Sequence, residues 1–189
     1  MTTQITQTPL DFLTQRQSNG FLEAPAPSDS ELTKMLEAAI ATPDHGHLKP
    51  YRFDVIQGKG LDTLTDIFVK AMTLISDDPI KQQKAKTMAY RAPMIIVVST
   101  QYQQHPKVPK HEQMITAGCA TYALQMAAVA QGYNALWRTG ALAEHPLVKQ
   151  QLHIDEQQDI VGFLYVGSES KALAAKPRRL QSVDVRHWR

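Results

Sequence analysis

Two uninterrupted aliphatic runs, Met94 to Ser99 (MIIVVS) and Ile160 to Val166 (IVGFLYV), constrain the fold more than any other feature of this chain. Runs without polar alternation read as strands covered on both faces, so helices are needed on either side of a sheet. Between them, Lys110 to Gln131 is rich in Ala and Met and closed by Gly132. It reads as one long helix with apolar residues on nearly every side, hence buried all round.

The remaining segments fit around this frame. Pro9 to Gln17 reads as a short helix with proline in its first turn, stopped by Ser18-Asn19-Gly20. Ser28-x-x-Glu31 is a capping box that opens a helix burying Leu32, Met35, Leu36, Ala39 and Ile40. The proline-bracketed loop Thr42 to Pro50 feeds Tyr51 to Ile56, whose rings and charges alternate as in a half-buried strand. Gly60 to Ile75 is an amphipathic helix, and Asp77-Asp78-Pro79 starts a more polar one that runs to Tyr90. Ala135 to Arg138 is a short strand, and Glu144 to Leu152 a helix. The alternation is irregular and long helices outweigh short strands, which places the chain among α+β or α/β sandwiches rather than bundles.

Composition excludes several classes of function. With 189 residues, 43% of them hydrophobic and 20% charged, the chain has the size of one domain spanning 1–189 with a substantial core. A net charge of +2 is far from what phosphate-backbone binding demands, so no nucleic-acid partner is expected. The charge is uneven: Lys176, Arg178, Arg179, Arg186 and Arg189 against Asp184 give the tail +4 and leave −2 on the rest. The single Cys119 excludes an intramolecular disulfide; within an Ala-rich helix it reads as a small buried hydrophobe. Met1 to Gln7 lacks the charge and apolar run of a signal peptide, and no stretch is apolar enough to span a bilayer. A cytoplasmic protein without a membrane partner is expected.

The chemistry-bearing motifs are sparse. There is no Gly-x-Gly-x-x-Gly after a strand, no Walker loop, no Gly-x-Ser-x-Gly and no His-Glu-x-x-His. His45-Gly46-His47 beside Asp44 reads as a polar loop or a set of donors for a polar ligand, and no metal site is assigned to it. Three clusters matter if they converge: Arg16-Gln17-Ser18, Trp137-Arg138-Thr139 and Lys176-Pro177-Arg178-Arg179. Together they would supply cations and a hydroxyl for a phosphate and donors for an electron-rich ring.

These segments, with the APAP loop at Ala24 to Pro27, Lys49-Pro50-Tyr51-Arg52-Phe53, Arg91-Ala92-Pro93, Ala117-Gly118-Cys119-Ala120 and QMAAVAQG at Gln125 to Gly132, stand in an order that resembles the FMN-dependent nitroreductase family, in its compact branch. The resemblance implies an α+β fold with a central, mainly antiparallel sheet flanked by helices. It also implies a homodimer with FMN at the subunit interface. Arg16 and Ser18 match positions that contact the FMN phosphate and ribityl chain, and Gln17 the position near the flavin pyrimidine edge. His45 and Lys49 match flavin-contacting positions, and Trp137, Arg138 and Thr139 the segment beside the ring. Lys176 and Arg178 resemble a pair that holds the phosphate.

Three departures stand out: Gln17 replaces a customary Arg, Lys49 a Gln and Tyr51 a Trp. A cation at Lys49 would then restore the charge lost at Gln17 and favour the reduced, anionic flavin. The implied activity is NADH- or NADPH-dependent, ping-pong reduction of nitroaromatic, quinone-like or related electron-poor molecules, with the chemistry on the cofactor and no catalytic side chain assigned. Two alternatives are an FMN-binding protein with a regulatory role and a cofactor-free interaction domain.

Overall fold

The computed structural model describes residues 8–174, 176, 178 and 183–189. Met1 to Gln7, where the signal-peptide reading falls, and Pro177 and Arg179 of the tail lie outside the described residues. Both aliphatic runs are strands, β3 (Met94–Thr100) and β5 (Ile160–Glu169), and β3 is buried along its whole length. They pair antiparallel at the centre of the sheet. On the far edge of β3 lies β2 (Tyr51–Gln57), while β5 also pairs with β4 (Asn134–Arg138) and, at its end, with the two-residue β1 (Leu22–Glu23). Every pairing among the described residues is antiparallel, which settles the class as α+β.

Strand alternation splits the interior into two cores. Ile95, Val97, Phe163 and Tyr165 face α3 (Lys59–Ile75), which turns Leu61, Leu64, Ile67, Phe68 and Ala71 onto them. The rings of Phe68 and Phe163 meet edge to face at 5.1 Å. Ile96, Val98, Leu164 and Val166 face the opposite way, toward α5 (Lys110–Ala130) and α2 (Asp29–Ile40).

The capping box is built: the Ser28 N–H and hydroxyl both donate to Glu31 Oε2, at 2.8 and 2.6 Å. These bonds hold the Glu31 carboxyl below the usual carboxylate range. A similar box, Thr8 with Asp11, starts α1 (Pro9–Gln15).

Four expectations are corrected. Ile40 is 57% exposed, because it sits at the last position of α2 beyond the stripe that carries Met35 and Ala39. The helix expected over Glu144 to Leu152 is two short ones, α6 (Ala141–Glu144) and α7 (Pro146–Gln151), since Pro146 can begin a helix but cannot continue one. The polar helix ends earlier, as α4 (Pro79–Met88) followed by a 3₁₀ turn. Finally, α5 is not buried all round: Ile115 is 62% and Tyr122 41% exposed, and Cys119 is exposed rather than buried.

Candidate functional site

The exposed side of α5 forms one wall of an apolar groove. Phe12 and Leu13 of α1 stand opposite Ile115, Cys119, Tyr122 and Met126, with Thr42 and Pro43 contributing from the loop after α2, around a volume of about 790 Å³. At the end of α1 the chain leaves the helix, and the side chain of Arg16 reaches Ser18, donating from Nη1 to Oγ at 3.2 Å. Burial and then the neighbouring Arg178 lower the Arg16 pKa, and Tyr122 of the groove offsets part of that shift.

Arg178 is brought to this point from 162 positions away. Its Nε donates to the Thr14 carbonyl at 3.0 Å and its Nη2 to that of Arg16, so it closes the open carbonyls at the end of α1. Gln17 ties the same region from the other side, its amide donating to the carbonyls of Leu173 and Ala174 at 3.2 and 3.1 Å. The Gln17 carbonyl oxygen is buried and has no donor among the described residues. Neither Arg16 nor Arg178 belongs to an ion pair among the described residues. The result is two half-satisfied guanidiniums and a buried acceptor at one end of an apolar groove. Lys176 is exposed beside them in sequence.

His45 and Lys49 occupy the loop before β2. Gly46 turns there with φ 77°, and both His47 (φ 54°) and Lys49 (φ 48°) take the left-handed region that non-glycine residues seldom adopt. Asp44 holds the turn by accepting the Lys49 N–H at 2.8 Å, and His45 Nδ1 lies 2.7 Å from Glu112 Oε2 on the first turn of α5. The Lys49 side chain is exposed.

The third cluster is divided by its own strand. Trp137 faces α5: its indole N–H donates to the Val161 carbonyl at 3.1 Å, and its ring lies over Gly162, where any Cβ would overlap it. Gly118 of α5 approaches the same ring. Arg138 faces the α3 side, with its guanidinium 5.9 Å from the Tyr165 ring centroid, and Thr139 is exposed beyond the strand end. The structure thus joins Arg16, Gln17, Ser18 and Arg178, leaves His45 and Lys49 in a separate turn, and separates the side chains of Trp137 and Arg138.

Sequence reasoning gave no site role to Tyr122, Glu112 or Gly162. A glycine inside an aliphatic strand signals close approach of another group, and Gly162 carried that signal.

The comparisons agree with this architecture. Residues 13–168 match the family described as the nitroreductase family. The chain is 40% identical over 159 residues to YdjA of Escherichia coli K12, provisionally named as an NAD(P)H nitroreductase, covering 84% of this chain and 87% of that one. A nitroreductase-like protein of Bacillus cereus superposes with a TM-score of 0.81 over 98% of both chains at 22% identity. A nitroreductase of Bacteroides fragilis solved with bound FMN gives 0.74 over 94% of this chain and 98% of that one at 19% identity. With its antiparallel sheet, flanking helices and a sequence match over most of its length, the chain belongs to the nitroreductase family.

Proposed function

We propose that this protein is an FMN-dependent NAD(P)H oxidoreductase that reduces nitroaromatic, quinone-like or related electron-poor molecules and works as a homodimer. The observation that carries the reading is the pairing of Arg16 with Arg178 at the end of α1, two guanidiniums without a carboxylate partner among the described residues. A phosphate is the ligand such a pair lacks, since its oxygens accept several charge-assisted hydrogen bonds at once. The Ser18 hydroxyl adds a donor, and the buried Gln17 carbonyl oxygen accepts from a ring N–H of the kind a flavin carries.

Held by these residues, FMN would supply hydride and electron transfer between NADH or NADPH and a second substrate. The chain binds and orients. Trp137, fixed by its bond to Val161 and by the space at Gly162, offers a rigid wall, and the exposed Thr139 ends the segment expected beside the ring. Lys49 and Lys176 contribute exposed positive charge, and His45 is held in place by Glu112. The apolar groove between α1 and α5 is the surface a second copy would cover, completing each flavin site with residues of both chains. No helix among the described residues is long and apolar enough to cross a membrane.

Anaerobic mixing of the FMN-loaded protein with NADH or NADPH tests the activity. Rapid bleaching, followed by recovery of colour on adding a nitroaromatic or quinone, is expected. Retained flavin that bleaches slowly with both nicotinamides would instead assign the protein a regulatory, flavin-binding role.

A further inference from the structure

The turn that carries His45 and Lys49 is exposed, yet it is tightly held. Three of its positions take left-handed backbone, Gly46 at φ 77°, His47 at φ 54° and Lys49 at φ 48°. Two of these residues have a Cβ, so their conformation is strained and persists only where surrounding groups hold it. Asp44 provides two of the holds. Its carbonyl accepts the His47 N–H at 3.2 Å, and its carboxylate accepts the Lys49 N–H at 2.8 Å.

The other holds come from α5. Thr116, itself buried, donates its hydroxyl to the Pro43 carbonyl at 3.3 Å. Glu112, one turn earlier, places Oε2 at 2.7 Å from His45 Nδ1, a contact between residues 67 positions apart. Among the described residues, the Glu112 carboxylate has no other partner.

Stability does not account for this pair. The side chains of His45 and Glu112 are 60% and 39% exposed, and an ion pair so open to water contributes little to folding. What the contact does fix is direction. An ionised carboxylate can only accept, so Nδ1 carries the proton, and the neutral ring keeps its Nε2 lone pair for another donor. The same contact pins the start of a turn whose strained end is Lys49.

We infer that Glu112 is a positioning residue for the flavin site: through His45 it holds loop 43–49 in its left-handed turn, presenting His45 Nε2 as an acceptor and the Lys49 ammonium as a cation. Because Glu112 acts through groups assigned to the flavin, its role rests on the reading proposed above. The contact involves neither Arg16 nor Arg178, so it bears on the ring and ribityl chain that FMN and riboflavin share.

Flavin-free, full-length protein allows two linked measurements. In ¹⁵N spectra of the neutral His45 ring, assigned by His45→Ala, Nδ1 should be protonated in the parent, and Glu112→Ala should lose that form. The thermal midpoint should stay within about 2 °C. FMN and riboflavin should each bind Glu112→Ala about fivefold to tenfold more weakly, by equal factors. Adding Glu112→Ala to His45→Ala should cost no further affinity, since the carboxylate acts through the ring. The positioning role is overturned if the parent ring is protonated at Nε2, if the losses from the two substitutions multiply, or if affinity falls only together with the thermal midpoint. Flavin binding by the parent that Glu112→Ala leaves unchanged overturns this role alone. A parent that takes up neither flavin overturns the flavin reading and this role with it.

Discussion

On one face of the sheet, α3 sends Leu61, Leu64, Ile67, Phe68 and Ala71 inward, and its mostly polar outer side, with Leu74, meets water. On the other, α5 buries Ala117, Ala120, Leu124 and Ala128 equally well, yet its outer side carries Ile115, Cys119 and Tyr122, which the same chain leaves exposed along the groove. The first helix is amphipathic and, Leu74 apart, its apolar side chains are covered within one chain. The second has apolar residues all round, and one chain covers only part of it. The difference teaches that apolar composition measures how much cover a helix needs, not who provides it. On the open face lie the groove and, at its end, the two guanidiniums of Arg16 and Arg178. On the closed face, the cavities beside Phe68 and beside Leu64 measure about 160 and 280 Å³.

The sharpest way to break this contrast is a cavity on the closed face. Phe68→Ala removes the ring that meets Phe163 edge to face and should cost about 3–5 kcal/mol in chemical denaturation, with no compensation from dimerisation. A loss that vanishes at high protein concentration would show that this face, too, depends on a second copy.

On the open face, Gly162→Ala should cost about 1–3 kcal/mol by driving a Cβ into the Trp137 indole. It should also change Trp137 fluorescence and loosen FMN. Unaltered fluorescence would mean that the indole is not fixed where Val161 holds it.

Ile115→Lys tests who covers α5. Because Ile115 is mostly exposed in the single chain, the substitution should leave monomer stability within about 0.5 kcal/mol, while sedimentation shifts toward the monomer. A variant that still sediments as a dimer would remove the groove from the proposed interface.

The smallest effect is expected at the end of the sheet that both faces share. Tyr102 donates to Asp159 at 2.7 Å, and burial followed by that carboxylate pushes its pKa up to about 12, against an ordinary value of 10.0. A raised folded pKa contributes stability that is complete below pH 10 and is lost as pH rises toward 12. Denaturation midpoints should fall over that window, and Tyr102→Phe should flatten the fall; equal slopes would contradict the assignment.

Much of the scaffold was legible in the sequence because it rests on local chemistry. The two aliphatic runs announced β3 and β5, Ser28-x-x-Glu31 announced α2, and Gly132 marked the end of α5. Elements that depend on partners far along the chain were not legible. β1 is two residues long and exists only because β5 extends beyond Val166 to pair with it. The exposure of Cys119 and Ile115 follows from which side of α5 meets the sheet, a fact that an Ala-rich stretch with little amphipathic contrast does not encode.

The site divides in the same way. Arg16, Gln17, Ser18 and Arg178 were singled out as charge clusters, but their meeting depends on a tail that Gln17 fastens through Leu173 and Ala174, and only the family resemblance anticipated it. Strand alternation alone, in contrast, could have separated Trp137 from Arg138 in advance.

A paired titration of the protein with FMN and with riboflavin, which differ in the phosphate, addresses the central claim most directly. If Arg16 and Arg178 form the phosphate end of a flavin site, FMN should bind about 100-fold more tightly than riboflavin, and Arg16→Gln should erase most of that preference while riboflavin binding stays nearly constant. Equal affinity for the two flavins, or a preference that Arg16→Gln leaves intact, would contradict the account.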